Sequence, residues 1–130
     1  MGLKKLLIVD DSNEFRAMLK EYLKKHNLGL EIFEASTGEM GIAKAACIRP
    51  DIVLMDISLP RASGITATRH IKGDNPDCKV IILTMFEVAA FKEVAMGINA
   101  TAFIGKSQIE EKLIPAIKKC LETQPANQGG

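Results

Sequence analysis

The chain of 130 residues fits one domain, long enough to bury about two-thirds of its unfolded surface around a single core, and a second full domain does not fit. Apolar residues at 47% and charged residues at 25% exclude a disordered segment or a coiled coil. With 17 basic against 16 acidic residues the net charge is +1, which supplies no electrostatic pull toward nucleic acid or an anionic membrane.

In chain order, Met1-Gly2-Leu3-Lys4-Lys5 leads into a short apolar run at 6–9 rather than into a signal sequence. Phe15, Met18, Leu19, Tyr22 and Leu23 then form one stripe of a helix, which predicts core packing for them. A second run at 30–35 is followed by Ser36-Thr37-Gly38-Glu39, which has the form of a capping box and opens a helix to about Ile48. Arg49-Pro50-Asp51 closes it. The runs at 52–55 and 80–83 are, like 6–9, continuous rather than alternating, as expected of central strands covered on both faces. A fifth run lies at 102–104, and Ile109, Leu113, Ile117 and Leu121 step by four along a last helix. Pro115 lacks a backbone donor, which predicts a place in the first turn and a helix start near Glu110 or Glu111. The polar stretch after Cys120 has the composition of a linker or a frayed end. The expected division is therefore one domain over 3–122 and a flexible tail or the start of a linker over 123–130.

Strand-length runs alternating with helical stretches predict an α/β fold with a parallel five-stranded sheet. No apolar run approaches the roughly 18 residues of a spanning helix. Cys47, Cys78 and Cys120 are odd in number and far apart, which predicts free structural thiols in a reducing cytoplasm.

The chemistry collects at the ends of the predicted strands. Asp10-Asp11 follows the first run, Asp56 the third, Thr84 the fourth, and Lys106 follows Gly105 after the fifth. In an open parallel sheet, ligands bind beyond the carboxyl ends where strand order reverses; the flavodoxin-like order 2-1-3-4-5 puts that crevice between strands one and three. Asp10, Asp11 and Asp56 would meet there. Three adjacent carboxylates repel one another unless a cation neutralises them, and a hard divalent ion such as Mg2+ suits an all-oxygen set that phosphate oxygens can complete. Thr84 offers a hydroxyl and Lys106 an ammonium to an anion arriving over Asp56, which makes a phosphoryl-transfer site.

Singly, each residue has a blander explanation. Asp11 or Ser12 could cap the following helix, Asp56 could be a turn aspartate, Thr84 could end a β-rich run, and Lys106 could be a solvated lysine. All five at one end of one sheet point to one site.

Ile8-Val9-Asp10-Asp11, the stretch from Leu54 through Asp56 to Gly64, Leu83-Thr84-Met85-Phe86, and Ala102-Phe103-Ile104-Gly105-Lys106 resemble the motifs of receiver domains of two-component response regulators, in order and in spacing, from about Leu3 to Leu121. The resemblance implies a flavodoxin-like (βα)5 fold and a signalling domain that takes part in its own phosphorylation and dephosphorylation, rather than an enzyme. It implies that Asp56 takes a phosphoryl group from a sensor histidine kinase in a magnesium-dependent reaction. Asp11 would bind Mg2+ directly and Asp10 mainly through water, with the Ser58 backbone carbonyl completing the protein ligands. Thr84 and Lys106 would hold phosphoryl oxygens, and Phe103 matches the switch aromatic that follows Thr84, although it also reads as an ordinary core Phe. Ser58, Met85 and Phe86 would tune the site.

By the same resemblance the output surface lies at about 88–96, 102–104 and 111–121. Ser107 stands where many receivers carry proline, so no cis bond is expected there. Lysine followed by Ser, together with Leu-Thr-Met-Phe, is similar to the branch that precedes a LuxR-type helix-turn-helix DNA-binding domain outside this chain. Such receivers control transcription and often dimerise when phosphorylated. A stand-alone receiver acting by protein–protein interaction is the alternative. An aspartate-nucleophile phosphatase uses Asp-x-Asp after its first strand, unlike the adjacent Asp10-Asp11, and a flavin-binding flavodoxin lacks support in a chain with no Trp and one Tyr.

Overall fold

The computed structural model describes residues 2–57, 64–85 and 97–122. Among these the strands are β1 (Lys4–Val9), β2 (Leu30–Ala35), β3 (Ile52–Asp56), β4 (Lys79–Thr84) and β5 (Ala102–Gly105). The helices are α1 (Asn13–Lys25), α2 (Gly38–Ile48), α3 (Gly64–Asp74) and α4 (Ile109–Glu122), the last preceded by a 3-10 turn, Lys106–Gln108. The strands form one parallel sheet in the order β2-β1-β3-β4-β5, as expected.

Alternation along the strands sorts their side chains into two cores. Leu6, Ile8, Ile52, Leu54, Ile81 and Leu83 pack with Leu19 and Leu23 of α1 and with Leu113 and Ile117 of α4. On the other face Leu7, Val9, Val53, Met55, Val80 and Ile82 pack with Ala45 of α2 and with Ala67 and Ile71 of α3. Every residue of β3 is buried, which explains its unbroken apolar sequence. Burying a Leu or Ile contributes roughly 1.5–3 kcal/mol each, so this double core dominates the stability of the domain.

Four local expectations are corrected. Met18 is 45% exposed, because it lies at the edge of the α1 arc whose centre, Leu19 and Leu23, faces the sheet. The N-cap of α2 is Thr37, not Ser36: its extended backbone lets Oγ1 accept from the Met40 N–H at 3.0 Å. Helix α4 starts at Ile109, one residue before the predicted start, because the 3-10 turn after β5 feeds directly into it. Pro115 consequently stands inside α4 rather than in its first turn. Arg49 ends α2 in the left-handed region at φ 49°, in agreement with the predicted stop. There is no cis peptide bond among the described residues.

Candidate functional site

In a parallel sheet all carboxyl ends lie on one edge, and the order found here makes β1 and β3 neighbours at the reversal point. Asp10 follows β1, Asp56 is the last residue of β3, Thr84 is the last of β4, and Lys106 follows β5. The turn after β1 is built locally: Ser12 Oγ accepts from the Phe15 N–H at 3.1 Å and caps α1, while Asp10 Oδ1 accepts from the Ser12 N–H at 2.9 Å. This turn leaves Asp11 exposed beside a buried Asp10.

Asp10, Asp11 and Asp56 each present a carboxylate oxygen, all within 4.8 Å of one another. Asp10 and Asp56 are 1% and 3% exposed, so their charges cannot rely on bulk water. Lys106 supplies part of the compensation, with Nζ 2.8 Å from Asp10 Oδ2 and 3.9 Å from Asp56 Oδ2. The ammonium also lies 4.1 Å from the centroid of the Phe15 ring. Three carboxylates facing one ammonium make an acidic, all-oxygen cluster. Such a donor set fits a hard divalent cation such as Mg2+.

Thr84 is fully buried and pairs in register with Gly105, one step beyond the pairing of Asp56 with Leu83. Phe103 pairs with Ile82 on the same strand pair, so alternation puts Thr84 and Phe103 on one sheet face. Phe103 is partly buried and packs against the margin of the core. Met85, just after Thr84, is 73% exposed. Ser58 and Phe86, and the expected output stretch at 88–96, lie outside the described residues.

Three residues at the site were not singled out by sequence reasoning. Phe15 was read as core alone, yet its ring also carries the Lys106 ammonium. Gly64 opens α3 directly against the backbone of Asp56. Arg16 donates from Nη1 to the Asp10 carbonyl oxygen at 2.6 Å, from Nη2 to Asn13 Oδ1, and from Nε to Glu34 Oε1 at 2.9 Å. Glu34 is held below its ordinary pKa of 4.5 by hydrogen bonds from Lys20 first and Arg16 second. Gly64 lay inside the motif around Asp56, but nothing in one sequence marked it, and Arg16 gave no local signal.

This arrangement accompanies a family assignment: the chain belongs to the response regulator receiver domains, whose family model matches residues 6–118. Among its relatives, the chemotaxis protein CheY of Thermotoga maritima is 34% identical over 117 residues, covering 89% of this chain and 96% of that protein. The response regulator protein VraR of Staphylococcus aureus is 33% identical over 88% of this chain, which spans only 55% of VraR. Among solved structures, a LuxR-family response regulator from Aurantimonas superposes with a TM-score of 0.85 at 29% identity, over 93% of this chain and 86% of that one. The response regulator TrrA of Thermotoga maritima, in complex with Mg2+ and BeF, superposes with a TM-score of 0.80 at 30% identity, over 91% of this chain and 99% of that one. The chain is therefore a receiver domain of the two-component response regulator family. Among the described residues no helix is long and apolar enough to cross a membrane.

Proposed function

We propose that Asp56 is the phosphoacceptor, taking a phosphoryl group from a phosphohistidine of a sensor histidine kinase in the cytoplasm. The observation that carries this reading is the convergence of the Asp10, Asp11 and Asp56 carboxylates within 4.8 Å, with the Lys106 ammonium against two of them. An Asp56 oxygen attacks phosphorus, the bond from phosphorus to the imidazole nitrogen breaks, and the imidazole leaves with the electron pair, giving an acyl phosphate. Asp11, which is exposed, and Asp56 would hold Mg2+ directly, with the backbone carbonyl of Ser58, a residue outside those described, as the third protein ligand that the family resemblance implies. Asp10 has both oxygens engaged, by Ser12 and Lys106, which suits contact through water. Bound Mg2+ would neutralise charge on the transferring phosphoryl oxygens.

Lys106 shifts its ammonium from the carboxylates to a phosphoryl oxygen, and Thr84 donates its hydroxyl to another. Phe103, on the same face as Thr84, follows that movement and reports it at the output surface, a population shift between two arrangements. On this reading residues 3–122 are the receiver and 123–130, outside the described residues, are a C-terminal tail or the start of a linker. Similarity to VraR, of which this chain spans 55%, and to a LuxR-family structure supports a transcriptional output; dimerisation on phosphorylation is part of the same proposal. A stand-alone receiver is the second reading, favoured by a CheY relative of which 96% is covered.

The test is incubation with acetyl phosphate or beryllofluoride with and without Mg2+. The expected result is a magnesium-dependent adduct that Asp56→Asn abolishes. An adduct that persists in Asp56→Asn would move the acceptor elsewhere, and sequencing the reading frame past Gly130 separates the two outputs.

A further inference from the structure

The Asp10–Asp11 turn is fastened to the sheet's edge strand at two consecutive residues. Ala35 accepts the Asp10 N–H at 3.1 Å, and Glu34, next to it on β2, holds the Arg16 guanidinium that bonds the Asp10 carbonyl oxygen. The Asp10 N–H and C=O are thus both tied, and the peptide plane that joins Asp10 to Asp11 is fixed. That plane sets how the chain enters Asp11 and so constrains the placement of its carboxylate. Each of the three guanidinium nitrogens donates one bond, Nε to Glu34, Nη1 to the Asp10 carbonyl and Nη2 to Asn13, which fixes the plane of the group. Lys20 grips the second oxygen of Glu34 at 2.9 Å, which steadies the carboxylate without touching the acidic turn. The Arg16 side chain is 12% exposed, so its bonds are shielded from water.

We infer that Arg16, braced by Glu34, is a positioning residue that presets the Asp10–Asp11 turn for divalent-cation binding. The inference rests on the proposed magnesium site and deepens it. Its sign is opposite to that of simple electrostatics. Arg16 is a cation beside an acidic cluster, so if it acted only through charge, neutralising it would tighten Mg2+ binding. If it acts by holding the turn, neutralising it loosens Mg2+. Replacing it by lysine, which keeps the charge but cannot fork between Glu34, Asn13 and the Asp10 carbonyl, also loosens Mg2+.

The experiment is calorimetric titration of Mg2+ into the full chain, as wild type and as Arg16→Gln, Arg16→Lys and Lys20→Ala. Urea midpoints and the magnesium dependence of phosphoryl uptake from acetyl phosphate are measured alongside. Arg16→Gln and Arg16→Lys are expected to weaken Mg2+ binding by roughly tenfold, as loss of an outer-shell support does at metal sites. Half-saturation by Mg2+ in the uptake assay should rise by the same factor while the rate at saturating Mg2+ changes little. Lys20→Ala, which keeps the Arg16 bonds to Glu34, Asn13 and the Asp10 carbonyl, should weaken Mg2+ binding far less than either Arg16 variant. If Arg16→Gln fails to fold, Arg16→Lys decides alone. Unchanged or tighter Mg2+ binding in the Arg16 variants, with wild type binding normally, overturns the inference only. A wild type that binds no Mg2+ overturns the site itself.

Discussion

Gly64 stands so close to Asp56 that a Cβ on it would lie 2.1 Å from the Asp56 carbonyl oxygen and 2.7 Å from Ile57 Cα. Both are backbone atoms, so neither can swing aside. The first turn of α3 therefore approaches the end of β3 only because residue 64 carries no side chain. Gly64→Ala should push α3 away from the strand that ends in Asp56. The expected loss is roughly 2–3 kcal/mol, the range for overpacking a tight contact, with slower phosphoryl uptake. A urea melt together with an acetyl phosphate assay checks it; wild-type values in both would mean that the backbone absorbs the methyl group.

Lys106 offers a second test, because it compensates charge that the sheet edge otherwise concentrates. Its side chain is 13% exposed and faces Asp10 and Asp56, which are more buried still. Lys106→Met leaves the carboxylates facing one another, and without Mg2+ the protein should lose about 3 kcal/mol, as when one partner of a buried pair is removed. Mg2+ then meets a site one charge more negative and should bind several-fold tighter and restore most of the stability. Urea melts at zero and saturating Mg2+ distinguish this from a general packing defect, which Mg2+ would not repair.

The sheet was legible in the sequence because burial on both faces forces unbroken apolar runs at residues 6–9, 52–55 and 80–83, each falling within its observed strand. The site was legible for a related reason: in a parallel sheet the residue after every strand falls on one edge, so Asp10, Asp56, Thr84 and Lys106 could be brought together without coordinates. Local endings were read less well. Ser36 and Thr37 offer the same hydroxyl, and only backbone direction makes Thr37 the cap. Arg16 and Gly64 act through tertiary approaches: Arg16 meets a Glu34 that is distant along the chain and is brought near by the pairing of β1 with β2. No periodicity or spacing encodes such contacts.

If Asp56 is the phosphoacceptor as proposed, Met85 is placed to affect how long the acyl phosphate survives. It directly follows Thr84 and is 73% exposed, a large apolar side chain held in solvent beside a polar strand end. The thioether should hinder water on its way to the Asp56 phosphoryl group. Met85→Ala is expected to speed loss of phosphate several-fold, followed as decay of the phosphorylated form after removal of the donor. An equal or slower decay in the variant would count against shielding by Met85.

The cysteines should divide by exposure. Cys78 is buried and burial pushes its thiol up to about 12; Cys120 is raised by burial as well, whereas Cys47 is exposed. Only the thiolate is nucleophilic, so at neutral pH the two buried thiols are both unreachable and protonated. Iodoacetamide should label Cys47 in the native protein and Cys78 and Cys120 only after unfolding. Rapid native labelling of Cys78 would contradict the packing of the β4 start.

Glu34 gives a pH signature for the brace on the acidic turn. Its carboxyl is lowered from 4.5, chiefly by Lys20 and then by Arg16, so the folded protein holds the ionised form more strongly than the unfolded chain does. A depressed folded-state pKa contributes stability that is fully present above 4.5 and lost as pH falls through the lower folded value. The Lys20 and Glu34 side chains are each about a third exposed, so water screens that pair, which limits the contribution to about 1 kcal/mol or less. Glu34→Gln should therefore be less stable than wild type at neutral pH, and the difference should shrink as the pH drops below 4.5, where wild type loses the same charge. Parallel urea midpoints of the two proteins between neutral and acidic pH measure it. A gap that stayed constant across that range would assign the loss to packing, and Arg16 would then be held in place by Asn13 and the Asp10 carbonyl alone.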